Sequence, residues 1–173
     1  MSGIKRVMPW QPTAQTGPKW GVAVSPETMA KIISDAENPI IIVGGEINAL
    51  DGKLLDFVIR LSKIENIPIV ATAHSIRSFV ERKVDATLMG LVEVTNLLLD
   101  PVWGLKGEPH DLAIFVGIQY ALNNQVFNTL KNFSEIKTMN LSKYYQPNAG
   151  VSFANLTDDI WEDYLEKICE KVV

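Results

Sequence analysis

The sequence predicts an α/β fold built on a doubly wound parallel sheet, and three apolar segments carry that prediction. They are residues 39–43 (PIIIV), 67–71 (IPIVA) and 112–117 (LAIFVG). Each is apolar at consecutive positions rather than at alternate ones, which is typical of strands buried on both faces. Segments with helical periodicity separate them, so helices are expected on both sides of the sheet in a three-layer arrangement.

The other elements follow in order along the chain. Ser25 and Pro26 match the N-cap and first turn of a helix, whose apolar positions continue to Ala36. Periodicity predicts further helices from about residue 51, over 75–83, 88–99 and 120–132, and from residue 158 onward, with shorter strands over 135–141 and 151–154. Glycine and proline predict a loop over 101–110.

Residues 1–24 are predicted to form an extended arm that precedes a single domain, residues 25–173. The arm has no helical or strand period but contains three prolines and two tryptophans (Pro9, Pro12, Pro18, Trp10, Trp20). The tryptophans could fold back onto the domain or anchor a partner protein. Because tryptophan is enriched at interface hot spots, our hypothesis is that the arm binds a partner rather than completing the fold.

Composition narrows the class of protein. A length of 173 residues suits one domain, and a net charge of −4 argues against a nucleic acid or an anionic membrane as partner. No apolar run approaches the length of a membrane helix, and the first residues lack the apolar core of a signal peptide. The lone cysteine, Cys169, excludes an intrachain disulfide and predicts a cytoplasmic protein.

Chemically reactive residues are few. Gly44 and Gly45 follow a buried strand and could admit a phosphate, but the dinucleotide fingerprint G-x-G-x-x-G is not met, and a tight turn explains them equally well. His110 is expected at the amino end of its strand, away from any site, and Cys169 as a partly buried inert thiol. Two histidines and one cysteine cannot build a zinc tetrad or an iron–sulfur cluster. We therefore expect a binding module or a subunit, with no catalytic or metal-binding residues.

Several segments carry a resemblance to known families. Residues 38–45 (NPIIIVGG), 67–72 (IPIVAT) and 111–117 (DLAIFVG) resemble the central, DHS-like NAD/FAD-binding domain of thiamine-diphosphate enzymes. The chain is more similar to the free-standing form of this domain, the epsilon subunit of archaeal CO dehydrogenase/acetyl-CoA decarbonylase-synthase complexes. The segments that add to this second likeness are 31–36 (KIISDA), 79–86 (FVERKVDA), 99–103 (LDPVW), 126–137 (VFNTLKNFSEIK) and 151–156 (VSFANL).

The resemblance implies a six-stranded parallel sheet and a non-catalytic role. The implied partner is the CO dehydrogenase alpha subunit, which would hold the nickel–iron–sulfur centres and oxidise CO in an α2ε2 component of a larger complex. The chain would stabilise that component or assist electron transfer to FAD. The competing hypothesis is a free-standing flavin- or nucleotide-binding electron-transfer protein.

A ligand-binding crevice is expected at the carboxyl ends of the strands. With strand order 3-2-1-4-5-6, the switch point falls between the strand that ends at Val43 and the one that ends at Val116. FAD is the candidate ligand. The predicted cofactor-binding residues are Gly44, Gly45 and Glu46 on one lip, Gly117, Gln119 and Tyr120 on the other, and Thr72, His74, Ser75, Ser142 and Asn155 at the flanks.

Overall fold

The computed structural model of the chain describes residues 14–172, and Trp10 therefore lies outside the described residues. Within these residues, seven parallel strands form one sheet in the order β1-β7-β6-β5-β2-β3-β4. The strands are β1 (Val22–Ala23), β2 (Pro39–Val43), β3 (Ile69–Ala71), β4 (Thr87–Leu88), β5 (Leu112–Val116), β6 (Lys137–Asn140) and β7 (Val151–Ser152). The α-helices are α1 (Pro26–Ser34), α2 (Lys53–Ile64), α3 (Ile76–Glu81), α4 (Leu91–Leu97), α5 (Tyr120–Phe133) and α6 (Asp158–Lys171).

The sheet is doubly wound about its two central strands. β2 pairs with β5 on one side, with Val43 beside Val116, and with β3 on the other. If β1 is set aside and β2 is counted as the first strand, the order from β4 to β7 becomes 3-2-1-4-5-6, which confirms the expected topology. The crossover direction therefore changes between β2 and β5. The two segments that follow these strands diverge to opposite faces of the sheet and leave a crevice at the carboxyl ends of the strands.

Helices cover both faces of the sheet, as predicted. Ile41 and Val43 of β2 face the cluster that includes α1, α2 and α6, whereas Ile40 and Ile42 face the cluster that includes α4 and α5. The central strands are consequently buried throughout, which is why they are apolar at every position. Within residues 14–172 no helix has the length and apolar character needed to cross a membrane.

The expectation of six strands is wrong by one, because residues 22–23 form a seventh. Val22 N donates to Gly150 O at 3.1 Å and Val24 N donates to Ser152 O at 3.0 Å. Tyr145 hydroxyl also donates to Gly21 O at 2.7 Å. This part of the predicted arm completes one edge of the sheet, so the expectation that the sheet needs nothing before Ser25 is also wrong. A two-residue strand has no period that a sequence pattern could show.

The segment predicted as one helix over 88–99 is divided in two. Thr87 and Leu88 form β4 beside β3, and α4 begins only after Gly90, whose N–H donates to the Glu93 carboxylate at 3.1 Å. The buried positions of α4 include Leu91 and Val94, whereas Val92 between them is exposed. The short edge strand thus occupies residues 87–88, which include the predicted start of the helix.

Candidate functional site

Two adjoining hollows form the crevice at the carboxyl ends of β2, β5 and β6. The small hollow has a volume of about 310 Å³ and the large hollow one of about 740 Å³. Glu46, Ser142 and Tyr144 line both of them. The small hollow adds Ile118, Gln119, Tyr120, Ala121 and Gln146, and the large one adds Gly45, Asp51, Gly117, Lys143, Asp158, Trp161 and three others. The topology therefore places a crevice where the sequence predicts it.

Six of the eleven predicted site residues line this crevice, namely Gly45, Glu46, Gly117, Gln119, Tyr120 and Ser142. The other five, Gly44, Thr72, His74, Ser75 and Asn155, are not among its lining residues. Whether the crevice residues bind a cofactor stays a prediction.

Gly44 supports the packing of the two central strand ends. A Cβ at this position would lie 2.4 Å from Gly117 O and 2.5 Å from Ile118 Cγ1, so only glycine fits. Gly44 N donates to Val116 O at 3.0 Å, and Glu46 N donates to Gly117 O at 2.8 Å. These two amides cannot also cradle a phosphate, which favours the tight-turn interpretation of the glycines.

Ser75 closes the end of β2 instead of facing a ligand. Its hydroxyl is fully buried and donates to Val43 O at 2.9 Å, and Thr72 N donates to the same carbonyl at 3.0 Å. Asn155 is also buried, and its side-chain oxygen accepts from Tyr145 N at 2.9 Å. His74 is exposed and lies beside Gly45.

Gln146 and Tyr144 are crevice residues that the sequence reasoning missed. Gln146 is 1% exposed, and its side-chain amide donates to Tyr120 O at 3.0 Å. Its Oε1 has no hydrogen-bond partner among the described residues. Burial, with a smaller contribution from nearby Tyr145, raises the pKa of the Tyr120 phenol. The sequence offered one signal for these two residues, namely that their loop directly follows the strand predicted over 135–141 and so lies at the carboxyl edge of the sheet.

The crevice is rich in carboxylates. Glu46, Asp51 and Asp158 line it, and Lys143 is the one lysine among the described residues of its lining. Lys143 Nζ lies 2.6 Å from Asp158 Oδ1, and this hydrogen bond raises the pKa of the lysine. Because its charge is already paired, little positive charge remains for an anionic ligand. The residues present therefore do not fit the diphosphate of FAD, although the aromatic and apolar walls could contact a ring.

His110 and Cys169 both have structural environments. His110 lies at the amino edge of the sheet as expected, where Nδ1 donates to Asn38 O at 2.9 Å and Nε2 accepts from Leu105 N at 3.1 Å. Burial lowers its pKa. Cys169 is buried on α6, and burial raises the pKa of its thiol. Among residues 14–172, no group of three or more histidine, cysteine, aspartate or glutamate side chains could hold a metal ion.

A second feature lies at the opposite, amino edge of the sheet. Two hollows of about 710 and 800 Å³ share Lys19, Lys131 and residues 134–137. Trp20 borders the first hollow and is 59% exposed, and Phe133 borders the second and is 74% exposed. We call the two hollows with these two side chains the amino-edge surface. Large apolar side chains exposed beside hollows are typical of protein contact sites.

Comparison with known proteins gives consistent matches. The chain is 40% identical over 166 residues to the acetyl-CoA decarbonylase/synthase complex subunit epsilon of Methanothermobacter thermautotrophicus, covering 94% of this chain and 95% of that one. It is 41% identical over 136 residues to subunit epsilon 1 of Methanosarcina barkeri, covering 78% and 79%. A Mycobacterium smegmatis structure named as a candidate thiamin diphosphate-dependent enzyme is similar with a TM-score of 0.46 at 12% identity; this chain covers 30% of its length. The model of the family described as CO dehydrogenase beta subunit/acetyl-CoA synthase epsilon subunit matches residues 4–172, and the chain belongs to this family.

Proposed function

We propose that the chain is a non-catalytic subunit that stabilises the CO dehydrogenase component of an acetyl-CoA decarbonylase/synthase complex. In this proposal it binds the alpha subunit, which carries out CO oxidation, in an α2ε2 component. The observation that carries the proposal is the amino-edge surface, which presents Trp20 and Phe133 to the outside of the domain. Relatives that bear the name of a complex subunit support the same assignment.

Trp20 is held in place for such a contact by its neighbours on the chain. Gly21 N donates to Pro147 O at 2.8 Å, and Lys131 Nζ donates to Lys19 O at 3.0 Å. The backbone on both sides of the tryptophan is thus fixed before any partner arrives. A preordered backbone reduces the conformational entropy that binding costs, so an exposed tryptophan here suits an interface hot spot.

The groups best able to perform chemistry already have structural tasks, which supports an accessory role. The Ser75 hydroxyl donates to the β2 carbonyl of Val43, both ring nitrogens of His110 bind backbone groups, and the Cys169 thiol is buried on α6. A nucleophile or general base needs a free lone pair that faces a substrate. None of these three groups offers one.

Electron transfer to FAD is the alternative function. The crevice at the switch point supports it, whereas the occupied amides of the glycine turn and the surrounding carboxylates count against a bound diphosphate. Calorimetric titration of FAD into the isolated chain and into the α–ε component would test it. Heat at micromolar FAD that is lost in a Ser142→Trp variant would favour this alternative.

The docking proposal is tested by measuring the dissociation constant between this chain and the alpha subunit. Trp20→Ala should weaken binding about 30-fold, the equivalent of about 2 kcal/mol at a hot spot. Because Trp20 is largely exposed in the free chain, the thermal midpoint of that chain should stay nearly constant. Val80→Ala is the matched control, since Val80 is equally exposed but lies on α3, away from the amino-edge surface. Unchanged binding in both Trp20→Ala and Phe133→Ala would contradict the proposal.

A further inference from the structure

We propose that residues 101–109 form a pH-sensitive flap, which the His110 ring holds closed over the second hollow of the amino-edge surface. While the ring is neutral, it accepts a hydrogen bond from the flap. When the ring gains a proton, that acceptor is lost and the flap opens. The inference concerns the chain by itself, so it does not depend on the proposed function.

One hydrogen bond fastens the middle of the flap to its base. Leu105 N donates to His110 Nε2 at 3.1 Å. The other hydrogen bonds of residues 101–107 within the described structure join this segment to Asp100 or to itself. Asn38 Nδ2 holds only the last two residues of the flap, through their carbonyl oxygens. Loss of the bond to His110 therefore frees the middle of the flap.

The flap is compact enough to move as one piece. A Cβ at Gly104 would lie 1.6 Å from the carbonyl oxygen four residues later, and Gly107 N donates to Gly104 O at 3.0 Å. These contacts are internal, so they survive when the flap moves. Two half-buried side chains, Trp103 and Leu105, pack it onto the apolar cluster beneath. The Trp103 ring also lies beside the His110 ring, with centroids 5.7 Å apart.

The hydrogen bonds of His110 require one neutral tautomer. Nδ1 lies 2.9 Å from Asn38 O, and a carbonyl oxygen can only accept, so Nδ1 carries the proton. Nε2 is then the acceptor for the Leu105 N–H. A second proton on the ring goes to Nε2, where it would face this N–H. Because two donors cannot form a hydrogen bond with each other, the protonated ring and the closed flap exclude each other.

The surroundings of the ring offer the protonated form little compensation. His110 is buried and burial lowers its pKa, against smaller opposing effects of the bond to Asn38 O and of the Asp111 charge. The two oxygens of Asp111 already accept from the backbone N–H groups of Glu37 and Asn38. The closed flap should therefore be favoured above about pH 6.5, the ordinary histidine pKa, and be lost as the pH falls toward the lowered pKa.

The remaining charged groups near the ring do not alter this sign. The flap itself carries one cation and one carboxylate, Lys106 and Glu108, and both are exposed. Besides Asp111, the charged residues among the described lining of the second hollow are three lysines and two carboxylates, namely Lys19, Lys131, Lys137, Asp100 and Glu135. A surplus of positive charge disfavours a further proton on the ring.

Opening of the flap would remove one wall of the second hollow. Pro101, Trp103 and Pro109 belong to the lining of this hollow, whose volume is about 800 Å³, together with Phe133. Leu98, buried in the cluster on which Trp103 packs, lines it as well. The neutral ring thus keeps an apolar surface covered, and acid should widen the part of it that solvent reaches.

Amide hydrogen exchange of the full chain tests the flap, measured by NMR as protection factors between pH 7.5 and 5.0. The protection factor of the Leu105 amide should fall about 10-fold with the pH, the change expected when one hydrogen bond is lost. The midpoint of this fall should coincide with the titration of the His110 ring, followed by its carbon chemical shifts. The Ile41 amide, which donates to Pro68 O within the central sheet, should keep its protection.

Two variants separate the role of this histidine from a general effect of acid. His110→Phe removes both ring nitrogens and should leave the Leu105 amide poorly protected throughout the pH range, while Ile41 stays protected. His74→Gln is the matched control, because it removes the other histidine of the chain, which is exposed beside Gly45, and should leave the pH dependence of Leu105 unchanged.

Three results would overturn the inference. The first is a Leu105 protection factor that stays constant over the pH range, whether or not the His110 ring titrates. The second is an equal fall at Ile41, because the whole domain would then be loosening. The third is a pH dependence that persists in His110→Phe or disappears in His74→Gln.

Discussion

Gly44→Ala offers the sharpest test of what the glycine turn does. The new Cβ would lie 2.4 Å from Gly117 O, 2.5 Å from Ile118 Cγ1 and 2.7 Å from Ile118 Cα, whereas ordinary contacts begin at 3.4 Å. Two of these three atoms belong to the backbone of the neighbouring strand end, which cannot rotate away. Overpacking of this kind costs about 3 kcal/mol, the upper end of the usual range. For a domain of this size, that loss lowers the thermal midpoint by about 6 to 12 °C.

Gly45→Ala is the matched control for this experiment. Gly45 is exposed, and its added Cβ would meet only His74 Cβ at 3.1 Å, a side chain that can move. The substitution should change the free energy of unfolding by no more than about 1 kcal/mol, and the thermal midpoint should shift only by the small amount that corresponds to it. Calorimetry on the two variants measures the difference directly. A Gly44→Ala variant that melts within about 2 °C of the parent would refute the argument that strand packing requires this glycine.

Two further predictions concern residues at the amino edge and along α5. Burial lowers the pKa of His110, so the unfolded chain binds the extra proton more readily than the folded chain does. The free energy of unfolding should therefore be highest above about pH 6.5, the ordinary histidine pKa, and decrease as the pH falls below it. His110→Asn should flatten that decrease, measured as urea unfolding midpoints between pH 7.5 and 5.5. Lys131→Met removes the hydrogen bonds to Thr16 O, Lys19 O and Asn148 Oδ1 and should lower the free energy of unfolding by about 2 kcal/mol. Amide hydrogen exchange should become faster at residues 21–24 but not in β5. Equal acceleration in both segments would contradict a local role for Lys131.

The central part of the fold could be predicted from the sequence because burial on both faces leaves a strong signal. The apolar runs of β2, β3 and β5 indicate a parallel sheet without any knowledge of their partners. The edge strands β1 and β4 have two residues each, and a single pair of positions shows no period. Their pairing depends on contacts with distant strands, so no local pattern could reveal them.

The candidate site was predictable in position but not in composition. Topology fixes that residues after β2 and β5 line a crevice, and Glu46, Gln119 and Tyr120 do so. The sequence cannot show that the amides around Gly44 are already bound to the neighbouring strand end. It also cannot show that the 142–148 loop folds inward and buries Gln146, because that depends on the hydrogen bonds the loop makes across the sheet.

The pairing of β1 with β7 joins the first and the last strand of the described residues. During synthesis, Val22 and Ala23 emerge from the ribosome long before Val151 and Ser152, so this edge of the sheet cannot close until nearly the whole domain is available. Until then the segment around Trp20 lacks the loop on which it rests. If the chain assembles through Trp20 as proposed, only chains that have finished folding could associate, and the strand order would delay association until folding is complete.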